Sequence, residues 1–119
     1  HLAPGPVVRG EEFLLEIAIG NLLQNALEFS PEGGLVTVSM ASQEDLVEIT
    51  IEDQGPGVPE YALERVFDRF YSLQHPATGR KSSGLGLCFV KEAAELHGGS
   101  ARLANREEGG ARAVLTLRT

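Results

Sequence analysis

The chain has 119 residues, a length that suits one domain with a real hydrophobic core. Apolar residues make up 42%, and the net charge of −7 argues against general binding to nucleic acid or an anionic membrane while leaving room for a local basic site for phosphates. Cys88 is the single cysteine, so no intrachain disulfide can form, which suits a reducing compartment; no secretory signal is visible, and no apolar run approaches the roughly 18–20 residues of a membrane span.

Residues 1–9 hold two prolines and a glycine and read as extended, with Pro6-Val7-Val8-Arg9 suited to an edge strand. The abrupt start at His1 fits a piece of something longer. A helix is expected over 11–29, with acids at its first turn, where the macrodipole favours them. Leu15, Ile19, Leu22, Leu23 and Ala26 share one broad arc that should lie on a sheet. Ser30-Pro31-Glu32-Gly33-Gly34 ends the helix. Residues 35–41 alternate, with Val36, Val38 and Met40 on one face, and predict a strand. A polar turn at 42–45 leads to a second alternating strand over 46–53. Asp53-Gln54-Gly55-Pro56-Gly57-Val58-Pro59 is a breaker-rich loop, and 59–70 suggests a short helix. Residues 71–83 show no period and carry Pro76, Gly79, Arg80 and Lys81, so they read as a mobile loop of a length usually reserved for function. A helix over 84–97 should stop at Gly98-Gly99. Strands over 101–105 and 111–118 flank the turn Arg106-Glu107-Glu108-Gly109-Gly110. This order predicts an α+β two-layer sandwich, with a mixed, largely antiparallel sheet covered on one face by about three helices.

Three stretches carry chemistry. Asn21, Asn25 and Glu28 fall at i, i+4 and i+7, one stripe of the first helix. Asparagine is a middling-to-poor helix former, because its amide competes for backbone hydrogen bonds. The stripe is either a solvated face or a polar site facing a ligand, where an amide oxygen can help hold Mg²⁺ together with substrate phosphates. Asp53 follows Val47, Ile49 and Ile51 in phase, at the buried end of an inward face, where a lone carboxylate is costly. It wants donors. The adenine amino group is one, whereas guanine presents a carbonyl there. The alternative is an Asp that caps its own Gly-Pro-Gly turn. Gly55 and Gly57 suit either reading, since a tight turn and a close approach to a flat ring both favour glycine. Ser82-Ser83-Gly84-Leu85-Gly86-Leu87 opens the late helix, where free N–H groups at a positive dipole end can take phosphate, helped by Arg80 and Lys81; a serine-capped glycine-rich helix start is the plain alternative. No G-x-x-x-x-G-K-[ST] motif, cysteine–histidine metal spacing or G-x-S-x-G elbow is present.

Taken in order, these pieces resemble the catalytic ATP-binding domain of bacterial sensor histidine kinases, within the wider family shared with gyrase, Hsp90 and MutL. Asn21-Leu22-Leu23-Gln24-Asn25-Ala26 resembles the N box, Asp53-Gln54-Gly55-Pro56-Gly57 the first glycine box, Val66-Phe67-Asp68-Arg69-Phe70-Tyr71 the F box and Gly84-Leu85-Gly86-Leu87 the second glycine box. Gly109-Gly110 stands where the last box is expected. Phe70-Tyr71-Ser72-Leu73 together with Lys81-Ser82-Ser83-Gly84-Leu85-Gly86-Leu87 is most similar to the carbon-source-responsive, CreC-like kinases.

The resemblance implies a Bergerat-type sandwich spanning 1–119, lacking the phosphoacceptor-histidine dimerisation domain. It implies that ATP and Mg²⁺ bind, with Asn25 on the metal, Asp53 on the adenine amino group, and Gly55 and Gly57 shaping the base pocket. Asn21 joins the nucleotide-binding and catalytic set. Residues 71–83 become the ATP lid, and Gly84, Leu85 and Gly86 meet the phosphates. Many members carry Lys or Arg where this chain has Glu28, which shifts that task to Arg69, Arg80 or Lys81. Ser82 replaces a common lid glycine. The implied partners are ATP, the histidine-bearing dimerisation domain of the same protein and a downstream response regulator, in a cytoplasmic domain of a membrane-anchored inner-membrane homodimer. Two rivals stand beside this reading. One is an ATP-hydrolysing relative of the gyrase–MutL type, which would carry a Glu base at Asn21. The other is a non-catalytic module that binds nucleotide or a partner protein.

Overall fold

The structure is a computed structural model that describes residues 12–30, 33–63, 65–68 and 86–118. Its elements run α1 (Glu12–Phe29), β1 (Thr37–Gln43), β2 (Leu46–Glu52), α2 (Glu60–Leu63), α3 (Gly86–Leu96), β3 (Ser100–Asn105) and β4 (Ala111–Arg118). The four strands form one sheet in the order β1-β2-β4-β3. All three pairings are antiparallel, so no parallel pair bears out the mixed character expected of the sheet among the described residues. The edge strand expected at 6–9 and the loop expected at 71–83 lie outside those residues.

Periodicity explains the core. Val47, Ile49 and Ile51 alternate along β2, and Ala113, Leu115 and Leu117 alternate along β4, all on one face. In register, Val47 lies opposite Leu117, Ile49 opposite Leu115 and Ile51 opposite Ala113. Ala18, Leu22 and Ala26 of α1 and Val90, Ala93 and Ala94 of α3 cover that face. The small alanines let the two helices sit close to the sheet and to each other. The other face of the sheet carries no helix among the described residues. A second, smaller cluster of Val58, Ala62, Val66 and Ala111 lies beneath α2, and Leu87 and Leu103 pack against both clusters.

Three boundaries differ from expectation. The first strand runs two residues later than predicted, because the hairpin turn is only Glu44 and Asp45, with Glu44 at φ 54°, and Gln43 pairs with Leu46. Leu35 is not in the ladder; its N–H donates to the Gln54 side chain at 3.1 Å. The helix expected over 59–70 is only the single turn Glu60–Leu63, followed by i→i−3 turns in which Arg65 N donates to Ala62 O and Asp68 N to Arg65 O. Such tight turns keep Ala62 and Val66 on one side, buried in the small cluster. The late helix, described from Gly86, ends at Leu96 in a Schellman motif, with Gly99 N donating to Ala94 O and Gly98 N to Glu95 O.

The alternation of β1 is as predicted, but its apolar side is not covered. Val38 and Met40 lie opposite Ile51 and Ile49, hence on the helix side, yet are 52% and 58% exposed. The helices lie over β2, β4 and β3, and β1 projects past them.

Candidate functional site

The site is built where the C-terminal end of β2, the second half of α1 and the first turn of α3 meet. Asp53 is its most enclosed polar group, 5% exposed. Its backbone extends the β2–β4 ladder by one residue, with Asp53 N donating to Ala111 O at 3.0 Å. Its carboxylate uses one oxygen on the protein. Oδ1 accepts from Gly55 N at 2.9 Å and from Ala111 N at 3.1 Å. The first bond is the turn cap of the plainer reading. The second arises from the fold and ties two strands. No donor among the described residues reaches Oδ2, which is left to accept one from outside.

Arg106 secures the same corner. Its Nη1 donates to the Asp53 carbonyl at 2.9 Å, its Nη2 to Glu108 at 2.8 Å, and its Nε lies 3.4 Å from the Glu52 carboxylate. Glu52 also takes a 2.8 Å bond from Arg112 Nε. Gly110, at φ 91°, passes directly over this corner; a Cβ there would run into the Asp53 carbonyl. The last glycine pair therefore serves the first glycine box structurally.

The chain itself accounts for glycine at two predicted pocket positions. A Cβ on Gly55 would collide with the Phe29 carbonyl, so the loop can lie against the end of α1 only without one. Gly57 sits at φ 79°, and a Cβ there would be 2.7 Å from Asn105 Oδ1. That asparagine donates from Nδ2 to Val58 O and accepts from Val58 N, each at 2.7 Å.

The other half of the site runs back along α1. Asn21 is half-buried and donates from Nδ2 to the Gly86 carbonyl at 3.2 Å, so the N box and the start of α3 meet across 65 residues of sequence. Asn25, one turn nearer Asp53, is half-buried, and its amide makes no hydrogen bond among the described residues. Glu28 departs from the predicted stripe: it is exposed and accepts from Gln24 Nε2 at 3.2 Å. From Phe29, which touches the Asp53 loop, back to Asn21 the helix rises ~12 Å. Asp53 and Gly86 thus lie toward opposite ends of the second half of α1, with Asn25 between. Among the described residues no three His, Cys, Asp or Glu side chains could hold a metal. A cation here would rest on the Asn25 oxygen, water and a ligand's own oxygens, which is how Mg²⁺ is commonly held. Arg69, Arg80, Lys81, Gly84 and Leu85 lie outside the described residues. Sequence reasoning did not find Asn105 or Arg106, whose only signal is two polar residues at the end of an alternating strand beside a Gly-Gly turn.

The chain matches known proteins over most of its length. A family model described as Histidine kinase-, DNA gyrase B-, and HSP90-like ATPase matches residues 10–119. The chain belongs to this family. It is 50% identical over 118 residues to Sensor protein CreC of Escherichia coli strain K12, covering 98% of this chain and 25% of that protein. It is 43% identical over 84 residues to Sensor histidine kinase WalK of Bacillus subtilis strain 168, covering 68% of this chain and 14% of that protein. The chain thus spans a quarter or less of these relatives. Among solved structures it is similar to the mycobacterial sensor histidine kinase MprB, with a TM-score of 0.84 and 34% identity over 93% of this chain and 76% of that one. It is also similar to the ATP binding domain of PrrB from Mycobacterium tuberculosis, with a TM-score of 0.73 and 39% identity over 98% and 76%. The fold is the Bergerat-type sandwich of histidine kinase catalytic domains.

Proposed function

We propose that this domain binds Mg-ATP and delivers the γ-phosphoryl group to a histidine on a separate dimerisation domain, from which a response-regulator aspartate receives it. The observation that carries this reading is the half-used carboxylate of Asp53, whose Oδ1 is held by two backbone N–H groups while Oδ2 is left for a donor. The adenine amino group supplies that donor, and Gly55 and Gly57 line the base. The triphosphate would then extend along α1 past Asn25 and Asn21 toward Gly86, at the start of α3.

Phosphoryl transfer demands mainly positioning and charge neutralisation. Asn25 would hold Mg²⁺, which neutralises charge on the phosphate oxygens when bound. Asn21 fixes the start of α3 through the Gly86 carbonyl and orders the phosphate end of the site. Arg69, Arg80 and Lys81 are the cations available to the phosphates, with Gly84 and Leu85 as backbone donors. We assign this domain to the cytoplasmic side of a homodimeric, membrane-anchored parent. Titration with ATP, with and without Mg²⁺, tests binding; transfer of label from γ-labelled ATP to a supplied histidine domain tests the activity. Absence of Mg-ATP binding would sink the proposal.

A further inference from the structure

The Asp53–Val58 loop is fixed at both ends by two consecutive residues, the last of β3 and the first after it. At its start, Arg106 donates to the Asp53 carbonyl. At its end, the Asn105 amide closes a two-way ring with the peptide of Val58, donating to Val58 O and accepting from Val58 N, both at 2.7 Å. A side-chain amide here does what a neighbouring strand residue does in a ladder. The two residues are 47 apart in sequence, so the contact is a tertiary choice rather than a local turn motif. The geometry around it is specific. Gly57 leaves no Cβ in the path of Asn105 Oδ1, and Val58 is buried in the small cluster, so the loop is gripped at the peptide and anchored by the side chain together.

From this we infer that Asn105 is the positioning residue of the base pocket: its amide holds the Gly55–Val58 stretch at the distance from Asp53 that a flat base requires. The inference deepens the nucleotide-binding reading and rests on it. The ring needs one donor and one acceptor on a short planar stem. Aspartate has nearly the same shape but only acceptors at neutral pH, and would set a carboxylate oxygen against the Val58 carbonyl. Alanine removes both partners. Arg106 remains in either variant, so Asp53 stays in place and only the far end of the loop is released.

The loop is assigned to the base and not to the phosphates, and this gives the test its signature. Asn105→Ala and Asn105→Asp should each weaken ATP and adenosine by the same factor, about tenfold, which is ~1.4 kcal/mol. Titrations are run on the intact domain at a temperature where circular dichroism shows each variant folded. In Asn105→Ala, which removes the acceptor of the Val58 N–H, hydrogen exchange should quicken at the Val58 amide and stay unchanged at the Ala111 amide. A merely stabilising Asn105 would lower the unfolding midpoint yet leave both affinities at the parent's value, and that result overturns the inference. So does a loss for ATP with none for adenosine, or a Val58 amide that exchanges in Asn105→Ala as in the parent. If the parent itself binds neither compound, the nucleotide-binding reading fails first, and the inference falls with it.

Discussion

Asp53 and Ala111 are joined twice, once by the backbone, with Asp53 N on Ala111 O, and once by the side chain, with Ala111 N on Oδ1. The second bond separates the structural from the ligand-facing oxygen. Asp53→Asn can keep its amide oxygen on Ala111 N and Gly55 N and turn its NH₂ outward. The unfolding midpoint should change little. ATP affinity should fall about 10- to 100-fold, because a charged hydrogen bond is lost and a donor faces a donor. The parent should prefer ATP strongly over GTP. Calorimetric titration of both nucleotides checks this, and a variant that binds ATP like the parent would reduce Asp53 to a turn cap.

Two glycines make opposite predictions for stability. Gly110→Ala puts a side chain at φ 91° and drives it into the Asp53 carbonyl. The conformation alone costs about 1–3 kcal/mol, and the collision adds to it. Gly20 lies inside α1 with nothing near the place of a Cβ. Gly20→Ala should raise stability by about 0.5–1 kcal/mol through helix propensity. Urea unfolding of both variants gives the two signs, and a neutral Gly110→Ala would show that the corner around Asp53 is loose.

The isolated domain should bind ATP and hydrolyse it negligibly. Asn21 has no useful basicity, and its amide is engaged with Gly86. Glu28 is the carboxylate on the same helical stripe, but it is exposed and bonded to Gln24. Glu28→Gln should therefore leave the trace hydrolysis unchanged. Sustained turnover that Glu28→Gln abolishes would favour the ATP-hydrolysing rival.

What the sequence disclosed depended on how local the cause was. Alternation along Leu46–Glu52 and Ala111–Arg118 set both buried faces, and the phase of Asp53 set its enclosure, since each needs only a period of two. The reason for Gly55 and Gly57 was not legible, because their neighbours, Phe29 and Asn105, come from distant stretches. The stripe of Asn21, Asn25 and Glu28 was read from helical spacing alone. Packing of α3 on one side of α1 then separated it into two half-buried amides and one exposed carboxylate. Val38 and Met40 of β1 show the same limit: alternation reports a shared face, not whether a helix reaches it. Asn105 and Arg106 stood out only once β3 and β4 were paired.

Arg80 and Lys81 offer a test of charge at the phosphate end. With the acidic Glu28 on the α1 stripe, these two cations should carry much of the attraction for the phosphates. Arg80→Ala combined with Lys81→Ala should weaken ATP more than adenosine, since only ATP carries the phosphate charge. The difference should shrink as salt rises. Equal losses for the two compounds would remove the pair from the phosphate site.

Leu87 and Leu103 bridge a large core and a small one, and the Asp53 loop stands on the small one. The small cluster, which includes Ala111 at the start of β4, should come apart at a free energy below that of global unfolding, with β2, the rest of β4 and the two long helices still folded. The end that carries the Asp53 loop is therefore expected to melt as a separate unit. Val58 belongs to that unit, and Leu87 joins it to the first turn of α3. A ligand gripping the loop would be felt at Leu87 as tighter packing, before any change reached the main core. Amides from 53 to 58 should exchange through this partial opening, and those in the middle of β4 only through complete unfolding.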